Sequence, residues 1–179
     1  MRINTQGRGI PLPAPISSFG PILLSKVLGL NETQESSLGL VFHFADQAGL
    51  PLLDFADLVA VLKYLDSDEG KPTLKQVGGL SSQTVGVILR KIVNLDQQGA
   101  GVFFGEPEFD TRDLLRTTPD GQGIVSMLEL PNVQDRPALF STFLMWLLAD
   151  LYTDLPEVGD ADRPKLVFFF DEAHLLFAD

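Results

Sequence analysis

Asp171 and Glu172 are the residues whose setting most directly invites chemistry. They follow Leu166–Phe170, "LVFFF", five apolar residues in succession near the end of a 179-residue sequence. A run of that kind predicts a strand buried on both faces. Two adjacent carboxylates at the tip of such a strand form the pattern of a Walker B element. There the strand fixes the Asp beside Mg2+, directly or through its water, and aims the Glu at the water that attacks a γ-phosphate of ATP. The alternative is a strand whose two carboxylates are simply solvated at its end.

The usual companion of such a pair is a G-x-x-x-x-G-K-[ST] loop, whose amides and Lys hold the phosphates. It is absent from these residues. The nearest approach is Gly70-Lys71, but Pro72 stands where a hydroxyl should meet the metal and Leu65 occupies the first Gly position. Glu106 in "FFGEP" is a loop carboxylate beside Pro, for which a structural role is the simpler reading. Arg112 and Arg116 have the chemistry of an arginine finger, against the plainer expectation of solvated helix residues. His43 lies off its helix's apolar stripe. Ser17 and Ser18 have no recognisable His/Asp partners, so no hydrolase triad is indicated.

With no Cys and only His43 and His174 as nitrogen ligands, a disulfide framework, a thiolate nucleophile and a structural zinc site are all disfavoured. A reducing cytoplasm is the expected location. The formal net charge is −11, with the basic residues scattered, so direct nucleic-acid binding by this segment is not expected. No membrane role is expected either. The most apolar stretch, Ala138–Ala149, spans 12 residues where a bilayer needs about 20, and the N-terminal residues lack the apolar core of a signal peptide.

The elements that must position the acidic pair follow from periodicity and caps. Residues 1–20, with Pro11, Pro13 and Pro15 among them, predict an irregular lead-in. Residues 21–100 predict a helical subdomain. Within it, "PILLSKVLGL" is a helix closed by Gly29, and Asn31 caps a second with the stripe Leu38, Val41, Phe42 and Ala45. Asp54 opens a third, carrying Phe55, Leu58, Val59, Leu62 and Leu65. Ser81 caps a fourth, with Val85, Ile88, Leu89 and Ile92 inward and Arg90, Lys91 and Asn94 outward. Residues 101–179 predict an α/β portion: a strand in "IVSMLEL", a long helix from Arg136 to about Thr153 enclosing Leu139, Phe143, Trp146, Leu147 and Leu151, and the terminal "LVFFF" strand. That unit has the length of a right-handed parallel crossover.

Three stretches, "FGPILLSKVLGLNETQESSLGLVFHFADQAGLPLLDFADLVAVL", "QQGAGVFFGEPEFDTRDLL" and "LPEVGDADRPKLVFFFDEAHLLF", resemble the YjgR-type bacterial proteins of the HerA/FtsK group of P-loop ATPases. The likeness runs from about Phe19 to the end. It implies the fold class α/β, a partial P-loop (RecA-like) ATPase unit with a strand–helix–strand crossover and a helical subdomain. It further implies that Asp171 is the Mg2+-associated acid, that Glu172 polarises water, and that a Walker A loop precedes the part resembled here. On that basis the chain is expected to supply the Walker B half of an ATP-hydrolysing site, in a parent that works as a DNA-associated motor, and to self-associate as a ring or dimer. Without the Gly-rich loop, neither Mg2+ nor ATP is expected on this chain alone. A non-catalytic helical interaction or oligomerisation module is the alternative. "DEAH", Asp171 to His174, also spells a helicase motif, but four letters weigh little against the longer HerA-like match.

Overall fold

The computed structural model describes residues 2–4, 13–129, 137–155, 159, 162–171 and 173. Two compact units emerge: Pro13–Glu108, and Met1–Leu12 together with Phe109–Asp179.

Pro13–Glu108 is helical. Helix α1 spans Ile16–Leu28, α2 Glu32–Gln47, α3 Phe55–Asp66 and α4 Ser82–Gln97. Local chemistry sets their starts. Asn31 accepts from Gln34 N–H at 3.0 Å, while the Gln34 side chain accepts from Asn31 N–H at 3.2 Å, a reciprocal box that satisfies two otherwise orphaned donors. Asp54 accepts from Ala56 N–H at 2.7 Å, and Asp57 reaches back to accept from Leu53 N–H at 2.9 Å. Ser81 accepts from Thr84 N–H. At the end of α1, Gly29 adopts φ 58° and ψ 48°, a left-handed conformation that costs glycine nothing. Helix α1 is kinked at Gly20, just ahead of Pro21.

The four helices pack on one another. Leu38, Leu58, Leu62, Ile88 and Ile92 are buried between them, each removal from water contributing about 1.5–3 kcal/mol. In α3 the buried stripe takes Val61 rather than Val59, and in α2 Phe42 is half-buried beside the buried Val41. A second cluster closes the unit. The Phe104 ring meets Phe19 edge-on at 5.3 Å and Phe55 at 4.8 Å. The chain enters and leaves side by side: Ala14 N–H donates to Phe103 O at 2.9 Å, and Gly105 N–H to Ala14 O at 3.2 Å.

In the other unit, strand β1 (Arg2–Asn4) pairs in parallel with β2 (Met127–Glu129), in the register Arg2 to Met127 through Asn4 to Glu129. Helix α5 (Pro137–Asp154) buries Leu139, Phe143, Trp146, Leu147 and Leu151, as its apolar spacing predicts. Its other side leaves Met145, Leu148 and Tyr152 exposed. No helix among the described residues is long and apolar enough to cross a membrane.

The predicted α/β class is overturned: the structure is mostly helical, and the three-residue strands β1 and β2 are its only paired strands among the described residues. "IVSMLEL" forms a strand only at Met127–Glu129. Leu166–Phe170 forms no strand and joins no sheet, so among the described residues the strand–helix–strand crossover and the RecA-like unit are not formed. The reason is physical. Apolar β-formers make a chain extended, but sheet requires a second backbone in register, and among the described residues Leu166–Phe170 has none.

Candidate functional site

The acidic end of the chain is built from residue 164 onward. Lys165 lies in a bend, Leu166–Phe170 follows without regular secondary structure, and the chain turns at Asp171. Exposure alternates along it, with Val167 at 57% and Phe169 at 94% against Phe168 at 41% and Phe170 at 40%. The Phe168 and Phe170 rings stack at 5.7 Å with planes 9° apart. Alternate side chains therefore already share a face, as in a strand, although the burial expected of a central strand is absent. Asp171 is exposed at the tip. Glu172 and His174 lie outside the described residues. Among the described residues, no three His, Asp or Glu side chains gather as a metal-holding group.

The remaining candidates lie apart from one another along the chain. Gly70 is buried against the backbone of Tyr64 and Leu65, and Lys71 Nζ lies 3.6 Å from the Asp66 carboxylate, so this Gly-Lys pair belongs to a turn after α3. Glu106 is exposed in the loop before Pro107. Its neighbour Glu108 accepts a hydrogen bond from Ser18. Ser17 and the exposed His43 line an open concavity of about 540 Å3 with Phe42, Asp46, Leu50 and Pro51.

Arg112 and Arg116 sit on and just after a short 3₁₀ turn, Thr111–Leu115. Both Arg112 donors reach Asp110, Nε to Oδ1 and Nη2 to Oδ2, each at 2.8 Å. Its guanidinium also lies 3.9 Å from Asp154. The Arg112 hydrogen bonds hold the Asp110 carboxyl below its ordinary range, and Asp110 in turn raises the guanidinium. Arg116 pairs with Asp113 at 3.4 Å. Arg116 is engaged within its own segment, and Arg112 both there and with Asp154 at the end of α5.

Two arrangements were not anticipated from the sequence. Buried Thr111 lies 2.7 Å from Asp150 Oδ2 and 3.2 Å from Asp154 Oδ2 through its hydroxyl, which ties the 3₁₀ turn to the last turns of α5. The i, i+4 spacing of Asp150 and Asp154 was the available signal. Lys91, expected to face outward, donates through Nζ to Leu28 O at 2.9 Å and Gly29 O at 2.6 Å. It caps the last carbonyls of α1.

No curated protein and no solved structure matches the chain. One family profile does, helicase HerA-like C-terminal, and it covers residues 2–179, which includes both units and the acidic tip. The HerA-like part of the resemblance seen in the sequence is thereby supported over nearly the whole length, and the chain belongs to the helicase HerA-like C-terminal family.

Proposed function

We propose that this member of a helicase- and ATPase-related family contributes the acidic half of an ATP-hydrolysing site, with Asp171 on the metal side and Glu172 on the water side. The observation that carries this is the placement of Asp171, exposed directly after five apolar residues, in a chain matched by the family over residues 2–179. An exposed carboxylate suits Mg2+, which binds through one or two carboxylates and completes its shell with water and phosphate oxygens. When bound, the ion would neutralise charge on the phosphates. Asp171 holds and orients it, and Glu172 accepts a proton from the attacking water. The Gly-rich phosphate loop is not among these 179 residues, so most nucleotide affinity must come from elsewhere. A motor acting on DNA is the parent activity this reading fits.

Calorimetry with MgATP and a phosphate-release assay test it. The chain alone should bind no appreciable MgATP. A longer protein that places a Gly-rich loop ahead of these residues should hydrolyse it. There Glu172→Gln should preserve binding and lower turnover by orders of magnitude, because an amide fills the same space but takes no proton. Asp171→Asn should weaken the Mg2+ dependence. Unchanged turnover in Glu172→Gln would refute the assignment. The second reading, a non-catalytic interaction module, draws on the compactness of Pro13–Glu108, which contains neither acid. It gains ground if the longer protein binds no nucleotide.

A further inference from the structure

The concavity beside His43 lies wholly within Pro13–Glu108 and, at about 540 Å3, has the size of a ligand site. Backbone hydrogen bonds set its walls in advance. Ser17 N–H donates to Leu52 O at 2.9 Å, which pins the start of α1 to the loop after α2. Helix α2 ends in a Schellman motif, with Gly49 at φ 64°, Gly49 N–H donating to Asp46 O at 3.0 Å and Leu50 N–H donating to Ala45 O at 2.8 Å. Half-buried Phe42 and exposed Leu50 give the hollow an apolar surface, and Ser17, His43 and Asp46 supply its polar groups. Among the described residues, no Lys or Arg lines it.

Two of the lining residues are poor choices for the helix that carries them. Gly39 lies inside α2, where Ala would hold the helix better. Nothing in the backbone demands a glycine there: its φ is not positive, and an added Cβ would meet nothing within 4 Å. Asp46 stands in the last turn of α2, at the negative end of the helix dipole, and no basic residue in that turn offsets it. Local choices that weaken an element with no return in the fold are characteristic of functional sites. Here Gly39 keeps space open, and Asp46 places an unbalanced negative charge on the same concave surface. An apolar group joined to a cation answers both. Because the hollow is open, it suits side chains projecting from a chain that passes over it better than an enclosed small molecule. A second copy, at net charge −11, is a poor source of the cation. We propose that this concavity docks a peptide segment of a partner protein that presents an apolar side chain next to Arg or Lys, with the apolar group over Gly39 and Phe42 and the cation at Asp46. The site contains neither Asp171 nor Glu172, so the inference does not rest on the ATPase reading.

The probe is the capped tetrapeptide Gly-Phe-Arg-Gly, titrated to millimolar concentration into the isotope-labelled full chain and followed by amide NMR. Saturable shifts should centre on Gly39, His43, Asp46 and Leu50. Exchanging the peptide's Phe for Ala should weaken binding at least ~10-fold, as the anchoring side chain no longer covers apolar surface. Exchanging its Arg for Gln should weaken binding about 3-fold, the scale of an exposed ion pair. In the chain, Asp46→Asn should lose that same factor for the Arg peptide and nothing for the Gln peptide, a pattern that general loosening of α2 would not produce. Gly39→Leu should fill the space and abolish binding, while thermal unfolding shows the chain no less stable than the parent. No saturable shift, an Arg peptide no tighter than the Gln peptide, equal loss of both peptides in Asp46→Asn, or undiminished binding to Gly39→Leu would overturn the proposal. Shifts of the same amides on concentrating the chain without peptide would overturn it in favour of a second copy.

Discussion

Replacing Gly70 with Ala should destabilise the helical unit through a clash that no side-chain rotation relieves. A Cβ at Gly70 would lie 2.0 Å from Tyr64 O, 2.7 Å from Tyr64 C and 2.9 Å from Leu65 Cα, all backbone atoms. Carbon–oxygen contacts ordinarily begin near ~3.3 Å, so the turn must open by about 1 Å or more. Opening it stretches two hydrogen bonds that close the turn, Gly70 N–H to Ser67 Oγ at 3.1 Å and Lys71 N–H to Ser67 O at 2.9 Å. Their net loss is about 1 kcal/mol each, and the residual overpacking adds about 1–3 kcal/mol. The expected destabilisation is therefore about 3–5 kcal/mol, which lowers Tm by at least ~6 °C for a chain of this size. Urea and thermal unfolding followed by far-UV circular dichroism would measure it. Gly39 is the control: it lies inside α2, and a Cβ added there would meet nothing within 4 Å, so Gly39→Ala should stabilise by about 0.5–1 kcal/mol. A Gly70→Ala protein within ~0.5 kcal/mol of the parent would refute the packing argument. It would also reopen the Gly-Lys pair to a role other than turning the chain.

Lys91→Met should cost about 1.5–3 kcal/mol in urea unfolding, because the two α1 carbonyls lose a charged donor, and Lys91→Arg should recover part of it. The Asp110 carboxyl, lowered from 3.8 by the Arg112 hydrogen bonds, should stabilise the fold at pH above its unfolded value and lose that contribution as pH falls through the lowered folded value. Arg112→Ala should move the Asp110 titration, followed by NMR, upward. Labelled duplex DNA should show no salt-sensitive anisotropy change in the micromolar range at physiological salt, as the net charge of −11 disfavours phosphate contact.

What was legible in the sequence is what neighbouring residues decide among themselves. Asn31, Asp54 and Ser81 cap helices because a short polar side chain reaches an amide two or three residues on, and that geometry needs no tertiary structure. The stripes Val85, Ile88 and Ile92 in α4, and Phe143, Trp146 and Leu147 in α5, are buried as their spacing predicts. What failed depended on distant partners. Leu166–Phe170 has the composition of a central strand, but composition does not supply a neighbouring strand. Arg2–Asn4 is three residues beside a Gly- and Pro-rich stretch, and its partner lies beyond an entire helical unit. Lys91 looked solvent-facing on α4 because its carbonyl partners are more than sixty residues earlier. At the candidate site the Asp-Glu pair is a matter of residue order alone, and of the two only Asp171 is among the described residues. The coupling of Thr111 to Asp150 and Asp154 was not legible, because it joins segments about forty residues apart.

The touching of Ala14 with Phe103 and Gly105 means that Pro13–Glu108 begins and ends at one point, like a bead threaded on a loop. A segment with that topology can be cut out, lengthened or exchanged by recombination while the chain on either side keeps its spacing. An insertion or exchange inside the helical bead therefore leaves its entry and exit points where they are.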